Sequence, residues 1–525
     1  MSTSLKRPRK FWATQPIDKV AIALMAVLTV IVVVLIALGG YAAARVREFS
    51  WHERQVGAED TAFLFTFSRP MDHVSVETNL KVNPPLQGKF SWAGRRMAFT
   101  LDAPAPYGEF YQVSLETARD RYSAQNQGGV RFASFKSQFQ SRDRALVYIG
   151  VDGEEQGRLV LFNLTQQDKV ILTPPDLVVL DFKPYPAGDR VLFTGIDAQS
   201  YQQGTLQQAL YSVTTGITAN SPKAPGSRTG LFDFNREATA AKPAGEIELI
   251  LDSDPYQNFK FDLSADGEVI IVQRVNTDDP TDFGPWIIHN GNAAPLNTEP
   301  GGDFAIAPDS RTLVMLQGQG TAIIPLPLDD DAPPSNEPLD FLPNYGRVLD
   351  ISADGSAAAM VNFNQNNPDE RYTESLFLVT NQGEEKNLLT ATGTILSAQF
   401  DTTGRSLYVL STELLDTENY VEQPILSAIN LEQDVLKDLL ALPPQPTINM
   451  SLAPDGLALL FDRMVPADSP DAEGLRSGDG RVLETSQIWL LPLYKTPAER
   501  LAGLPTSEIE PQTLPFTGVQ PTWLP

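Results

Sequence analysis

The chain has no cysteine and only three histidines, His52, His73 and His289, in 525 residues. The first absence excludes disulfides, thiolate metal sites and thiol nucleophiles. The histidines are far apart and show no His-x-x-x-His or His-Glu-x-x-His spacing, which argues against a histidine-built metal centre. No Gly-x-Ser-x-Gly occurs, so the nucleophile elbow of an α/β-hydrolase is missing, and so is a phosphate-binding glycine loop of the Walker type. Basic side chains are scarce: 40 Lys and Arg stand against 65 Asp and Glu, for a net charge of -25. A body so acidic repels phosphate backbones and argues against nucleic-acid binding. Asp329-Asp-Asp331 and Asn276-Thr-Asp-Asp279 are acidic loops without EF-hand spacing, so they read as solvated loops and no metal ligand is assigned. No catalytic, cofactor-binding or metal residue is expected from motifs. Carboxylate pairs drawn from two separate loops stay open, because such pairs leave no motif.

Charge is unevenly placed. Residues 1–50 hold Lys6, Arg7, Arg9, Lys10, Lys19, Arg45 and Arg47 against Asp18 and Glu48, which leaves -30 on the remainder. Behind the basic cluster runs an uncharged apolar stretch, 20–38. As a helix it would rise about 28 Å, close to the roughly 30 Å hydrocarbon core. The basic excess on its N-terminal side predicts 1–19 as a cytoplasmic tail and 20–40 as a transmembrane signal anchor in an inner or plasma membrane, with the rest extracytoplasmic. The rival is a signal peptide cleaved at Ala42-Ala43-Ala44, but the apolar core exceeds the usual 7–15 residues.

Residues 50–140 read as short strands in a β-sandwich. Phe63, Phe65 and Phe67 alternate along 62–67, the period of a strand with one buried face, and are assigned to the core. Residues 68–72 break the strand; 80–85, 88–92, 96–101 and 109–115 follow, punctuated by Gly and Pro. Phe65-Thr-Phe-Ser-Arg-Pro-Met-Asp72, Trp92-Ala-Gly-Arg-Arg-Met-Ala-Phe99, Tyr107-Gly-Glu-Phe-Tyr-Gln-Val-Ser-Leu115 and Ala118-Arg-Asp120 resemble the bacterial Ig-like domains of S-layer proteins. The final Phe-x-Phe strand of that family is only partly matched by Val130-Arg-Phe-Ala-Ser-Phe135. The resemblance implies a spacer or adhesion module without catalysis.

From 144 to 525 one pattern recurs: apolar strand, tight turn, apolar strand. It occupies 182–193, 261–272, 304–315, 349–360, 398–409 and 450–461, with turn positions at 188, 267, 310, 355, 404 and 456. A repeat of roughly 40–50 residues with several strands per unit predicts an all-β propeller. The first interval, 188 to 267, is longer; it is either one blade with a long loop at 218–243 or hides a degenerate blade. The units resemble TolB-like and WD-type propellers in their strand–Pro-Asp-Gly–strand openings, as in Ser451-Leu-Ala-Pro-Asp-Gly456. Strands at 145–149, 158–163 and 169–173 lack an opening pair, whereas Val519-Gln-Pro-Thr-Trp-Leu-Pro525 resembles the start of one. The chain end is therefore expected to supply the inner strand of a composite blade, giving seven blades, or six without it.

The two large regions are expected to fold separately, with the boundary near 139–144. Together these readings predict a membrane-anchored, extracytoplasmic scaffold of the bacterial cell envelope that presents a propeller to a protein partner. The alternatives are a carbohydrate-active or lyase-type propeller enzyme, and a structural or sensory envelope protein.

Overall fold

The computed structural model describes residues 16–40, 43–121, 132–204, 207–217, 242–318, 320–328, 338–466, 482–505 and 508–525. Most of the basic tail, the loop 218–241 and the acidic loop 329–331 lie outside the described residues.

A helix forms over Pro16–Gly40. The expected membrane anchor must nevertheless be corrected: among the described residues no helix is long and apolar enough to cross a membrane. The single-pass localisation built on 20–40 falls with it.

Residues 46–141 build two four-stranded sheets that share one core. One sheet is antiparallel, with Val46–Phe49, Ala62–Phe67, Arg96–Leu101 and Gly88–Ala93 side by side. The other holds Gln55–Val56, Phe135–Ser141, Phe110–Leu115 and Leu80–Asn83. Phe63, Phe65 and Phe67 are fully buried between the sheets, with Trp51, Tyr111 and Phe139. Each buried phenylalanine contributes roughly 1.5–3 kcal/mol. The segment after the strand break forms a helix, His73–Asn79, which the sequence reading had not assigned. Asp72 caps it by accepting the Ser75 N–H at 2.8 Å.

From Ala145 onward the chain folds into four-stranded antiparallel sheets. Five are consecutive in sequence, within 177–251, 256–295, 304–342, 347–391 and 395–441. The long interval between turns 188 and 267 is thus a single sheet whose third and fourth strands, Ala209–Thr214 and Ile247–Leu251, are far apart in the chain. The remaining strands form one seven-stranded sheet whose centre is the strand Gln512–Trp523. Its first half pairs with Leu483–Pro492, matching Gln487 with Thr517. Its second half pairs with Ala145–Gly150, matching Val519 with Ile149 and Trp523 with Leu146. Shared in this way, it completes both a last unit with Met450–Leu452 and Ala458–Pro466 and a first unit with Ala145–Gly150, Leu159–Asn163 and Asp168–Ile171. Seven four-stranded units result.

The repeat is set by its turns. Residues 188, 267, 310, 355, 404 and 456 all have positive φ, five of them glycine and the sixth Ser310 at 60°. In each, the N–H at that position closes a turn onto the carbonyl three residues back, as from Gly267 to Ser264 at 2.9 Å. The carbonyl-bearing residue also donates its own N–H to the carbonyl five residues on, as from Ser264 to Val269 at 2.9 Å, so four residues form each loop and the third sits in the left-handed region, where glycine lacks the Cβ penalty.

Apolar cores lie between units. Phe182 and Val191 pack with Val147 and Leu524; Tyr408 and Leu426 pack with Phe461 and Leu491. Leu146, Tyr148, Leu460, Ile488, Phe516 and Trp523 form one cluster between the last unit and the first. Each sheet is therefore covered on both faces, which is why its second strands read as continuous hydrophobic runs. This is the packing of a propeller-type fold.

Backbone N–H groups bonded to side chains also stitch neighbouring inner strands. At four of the six turns the side chain five positions before it accepts from the next unit: Ile306 N–H to Asp262 at 2.7 Å, Phe400 N–H to Asp350 at 2.7 Å, Leu452 N–H to Gln399 at 2.7 Å, and Trp523 N–H to Ser451 at 3.1 Å.

Deleting 518–525 removes the shared half-strand with buried Trp523. The truncated chain should melt several degrees or more below the intact one in near-ultraviolet circular dichroism, and Trp523→Ala alone should cost about 3–5 kcal/mol. Equal melting temperatures would make the tail dispensable.

Candidate binding face

In an antiparallel four-stranded unit, the connections between strands one and two and between three and four leave on one side. Those between two and three, and between units, leave on the other. All six tight turns therefore share a face, and the sandwich docks there. The contact centres on Asp455, in the last turn, with its side chain 1% exposed. Its carboxylate accepts the Tyr107 N–H at 2.9 Å and Arg144 Nη2 at 3.1 Å, while its other oxygen accepts the Leu457 N–H at 3.1 Å. Arg500, on the short helix Pro497–Ala502, donates to the carbonyls of Asp455 and Pro104, both at 2.7 Å. Burial lowers the Arg500 pKa and raises that of Tyr107. The boundary expected near 139–144 is thus spanned by a polar network centred on the buried Asp455.

Along the axis, the inner strands contribute two charged layers. Lys183 pairs with Asp262, and Lys260 with Asp303. A cavity of about 520 Å³ opens here on the turn face, lined by Lys183, Lys260, Asp262, Ile306, Asp350 and Pro525. Burial pushes the Asp350 carboxyl up to about 6, opposed by backbone N–H bonds from Phe400 and Ile351 and by Lys183. Burial also raises Asp181, opposed by the Phe182 N–H and by Lys260 and Lys183. Both oxygens of Asp350 are taken by backbone N–H groups, at 2.7 and 2.9 Å. Asp350 thereby ties its own strand to the inner strand of the next unit.

Among the described residues, the sandwich does not cover the opposite face. There a second axial cavity of about 520 Å³ is lined by Leu180, Leu396, Thr412, Glu422, Asn449 and Gln520. Gln520 has φ 54° and marks the bend in the shared strand; its N–H is held by Asp462 at 2.9 Å. Two large aromatics project from adjacent loops: Tyr372 is 85% exposed and Tyr420 76%. Tyr372 has φ 74°, a left-handed backbone for a bulky residue, and Arg371 sits 5.4 Å from its ring centre. Tyr420 donates to Glu422, which raises its pKa.

Among the described residues no group of three or more His, Cys, Asp or Glu could hold a metal ion. His52 bonds Ser137 at 2.8 Å and His73 stacks on Trp92 at 4.2 Å, both in the sandwich, while His289 ends the strand Phe283–His289. Asn276-Thr-Asp-Asp279 forms a hydrogen-bonded turn in which the Asn276 side chain accepts from the Asp278 N–H at 3.0 Å. Tyr372 and Tyr420 escaped sequence reading because aromatics there lack the alternation of a strand. The run Asn362-Phe-Asn-Gln-Asn-Asn367 is an amide-rich signal legible in the sequence.

No family model matches this chain, and no curated protein matches it. Among solved structures it is similar to TolB from Acinetobacter baumannii, with 9% identity over 85% of this chain and 83% of that one and a TM-score of 0.37. It is also similar to an oligogalacturonate lyase from Vibrio parahaemolyticus, with 10% identity over 67% of this chain and 92% of that one and a TM-score of 0.41. A third is a putative 6-phosphogluconolactonase from Bacteroides uniformis, with 15% identity over 73% and 99% and a TM-score of 0.38. Likenesses at this level carry no argument about activity, and the fold rests on the sheets described above.

Two outcomes are expected. Asp455→Ala should cost about 2–3 kcal/mol and split one calorimetric transition into two, because it leaves the Tyr107 N–H and Arg144 without their shared acceptor; a single unshifted transition would sink this reading. For Asp350, the folded pKa lies above the ordinary value, so the folded protein holds the extra proton and its stability falls as pH rises from about 4 to 6. The unfolding free energy of Asp350→Asn should therefore gain on that of the parent between pH 4.5 and 7.5, by an amount on the order of 2 kcal/mol. A constant gap across that range would show that the carboxyl titrates normally.

Proposed function

We propose that the chain is a binding scaffold: a seven-bladed propeller whose turn face is occupied by its own sandwich and whose opposite face receives a protein partner. The observation that carries this reading is the pair of exposed tyrosines, Tyr372 and Tyr420, on adjacent loops of the face away from Asp455. A tyrosine contributes large contact area at low entropic cost, and such residues dominate the energy of protein interfaces. Loops on a rigid scaffold are the usual place for them. The net charge of -25 favours a basic or neutral partner surface. The engagement of the Asp350 oxygens with backbone N–H groups also supports binding over acid–base chemistry in the channel.

Site-specific photo-crosslinkers placed at Tyr372 and Tyr420 should capture one protein, and titration of that purified protein should give an affinity reduced tenfold or more by Tyr372→Ala with Tyr420→Ala. Unchanged affinity in the double variant, or turnover of a polysaccharide or peptide substrate by the purified chain, would overturn this assignment.

A further inference from the structure

On the open face, away from the axis, a cleft of about 420 Å³ lies between the fourth and fifth units. Its volume falls within the range of roughly 300–1,000 Å³ typical of small-molecule sites. Its lining is dominated by amides, from Asn344 and 362–367, together with the rings of Phe363 and Phe377. Among the described residues, neither Lys nor Arg lines it and Glu370 is the one carboxylate.

The amides divide into two sets. Asn362, Asn364 and Asn367 build the loop. Asn364 is buried with φ 51°, and its Nδ2 donates to Thr373 Oγ1 and Ser375 Oγ, both at 2.9 Å. Asn362 Oδ1 accepts the Asn364 N–H at 2.8 Å, and Asn367 Nδ2 donates to Glu370 at 3.0 Å. Gly346 completes the wall: a Cβ there would stand 1.9 Å from the Phe363 ring, so only glycine lets that ring lie against the backbone. Asn344, Gln365 and Asn366 form the other set. They are exposed, line the cleft, and make no side-chain hydrogen bond among the described residues.

We infer that this cleft binds a neutral saccharide. A planar amide offers a donor and an acceptor side by side, which matches the paired donor and acceptor character of vicinal hydroxyls. Aromatic rings cover the apolar C–H face of a sugar ring. A loop already fixed by its own hydrogen bonds loses little entropy on binding. Anionic ligands are disfavoured, because the lining offers Glu370 and no cation. This inference goes beyond the protein-binding reading and uses different residues.

The test is saturation-transfer NMR and calorimetry on the full chain with cellobiose, maltose and N,N′-diacetylchitobiose, and with digalacturonate as the anionic control. At least one neutral disaccharide should bind saturably, and Gln365→Ala with Asn366→Ala should weaken it tenfold or more without moving the melting temperature. Tyr372→Ala with Tyr420→Ala should leave sugar binding intact, so the failure of one reading is distinguishable from failure of the other. The inference is overturned by absence of transfer to all three neutral disaccharides, by equal affinity in the amide variant, or by binding of digalacturonate alone.

Discussion

One strand, Gln512–Trp523, is held by two sheets at once, and the ring of units depends on it. Its first half is the outer strand of the last unit and its second half the inner strand of the first. The change of role happens at Gln520-Pro521, where a left-handed backbone turns the strand and proline removes a donor that the ladder has no use for. Asp462 fixes the bend by taking the Gln520 N–H along with the N–H and amide of Asn449. Trp523 then fills the core between the two units. An open ring would leave two unpaired sheet edges; sharing one strand removes them.

The same economy appears where the sandwich meets the propeller. An aspartate in a turn normally caps its own loop, as Asp354 does with Ser356. Asp455 keeps that bond to Leu457 and adds Tyr107 and Arg144 from outside the unit. Its burial makes each bond matter, since an unpaired charge there would carry the full cost of desolvation. The sandwich is thereby seated on the turn face, and the loops of the other face are left for recognition.

That division organises the chemistry of the molecule. Charged residues on the inner strands are satisfied by one another and by neighbouring backbone, so the axis acts as polar mortar. Unsatisfied amides and exposed tyrosines collect on the open face, where no packing demand accounts for them. Glycine and serine at the turns set the geometry of one face, and the longer, less regular loops give the other its character.

The sequence by itself determined the repeat and its handles. Period-two alternation placed Phe63, Phe65 and Phe67 in a core, and the turn positions from 188 to 456 marked six units, because a left-handed backbone demands glycine or a small polar residue and so leaves a local trace. The tail 519–525 was legible as an inner strand because it resembles the start of the repeat. The apolar stretch 20–38 was legible only as hydrophobicity, and hydrophobicity alone did not decide its setting; among the described residues no helix is long and apolar enough to cross a membrane. Only the tertiary structure decided which face is covered, that Asp455 joins two regions hundreds of residues apart, and that Asn344 meets 362–367 across two units. Local backbone preference is written in neighbouring residues. The pairing of distant loops is set by the closure of the ring, which no short window of sequence contains.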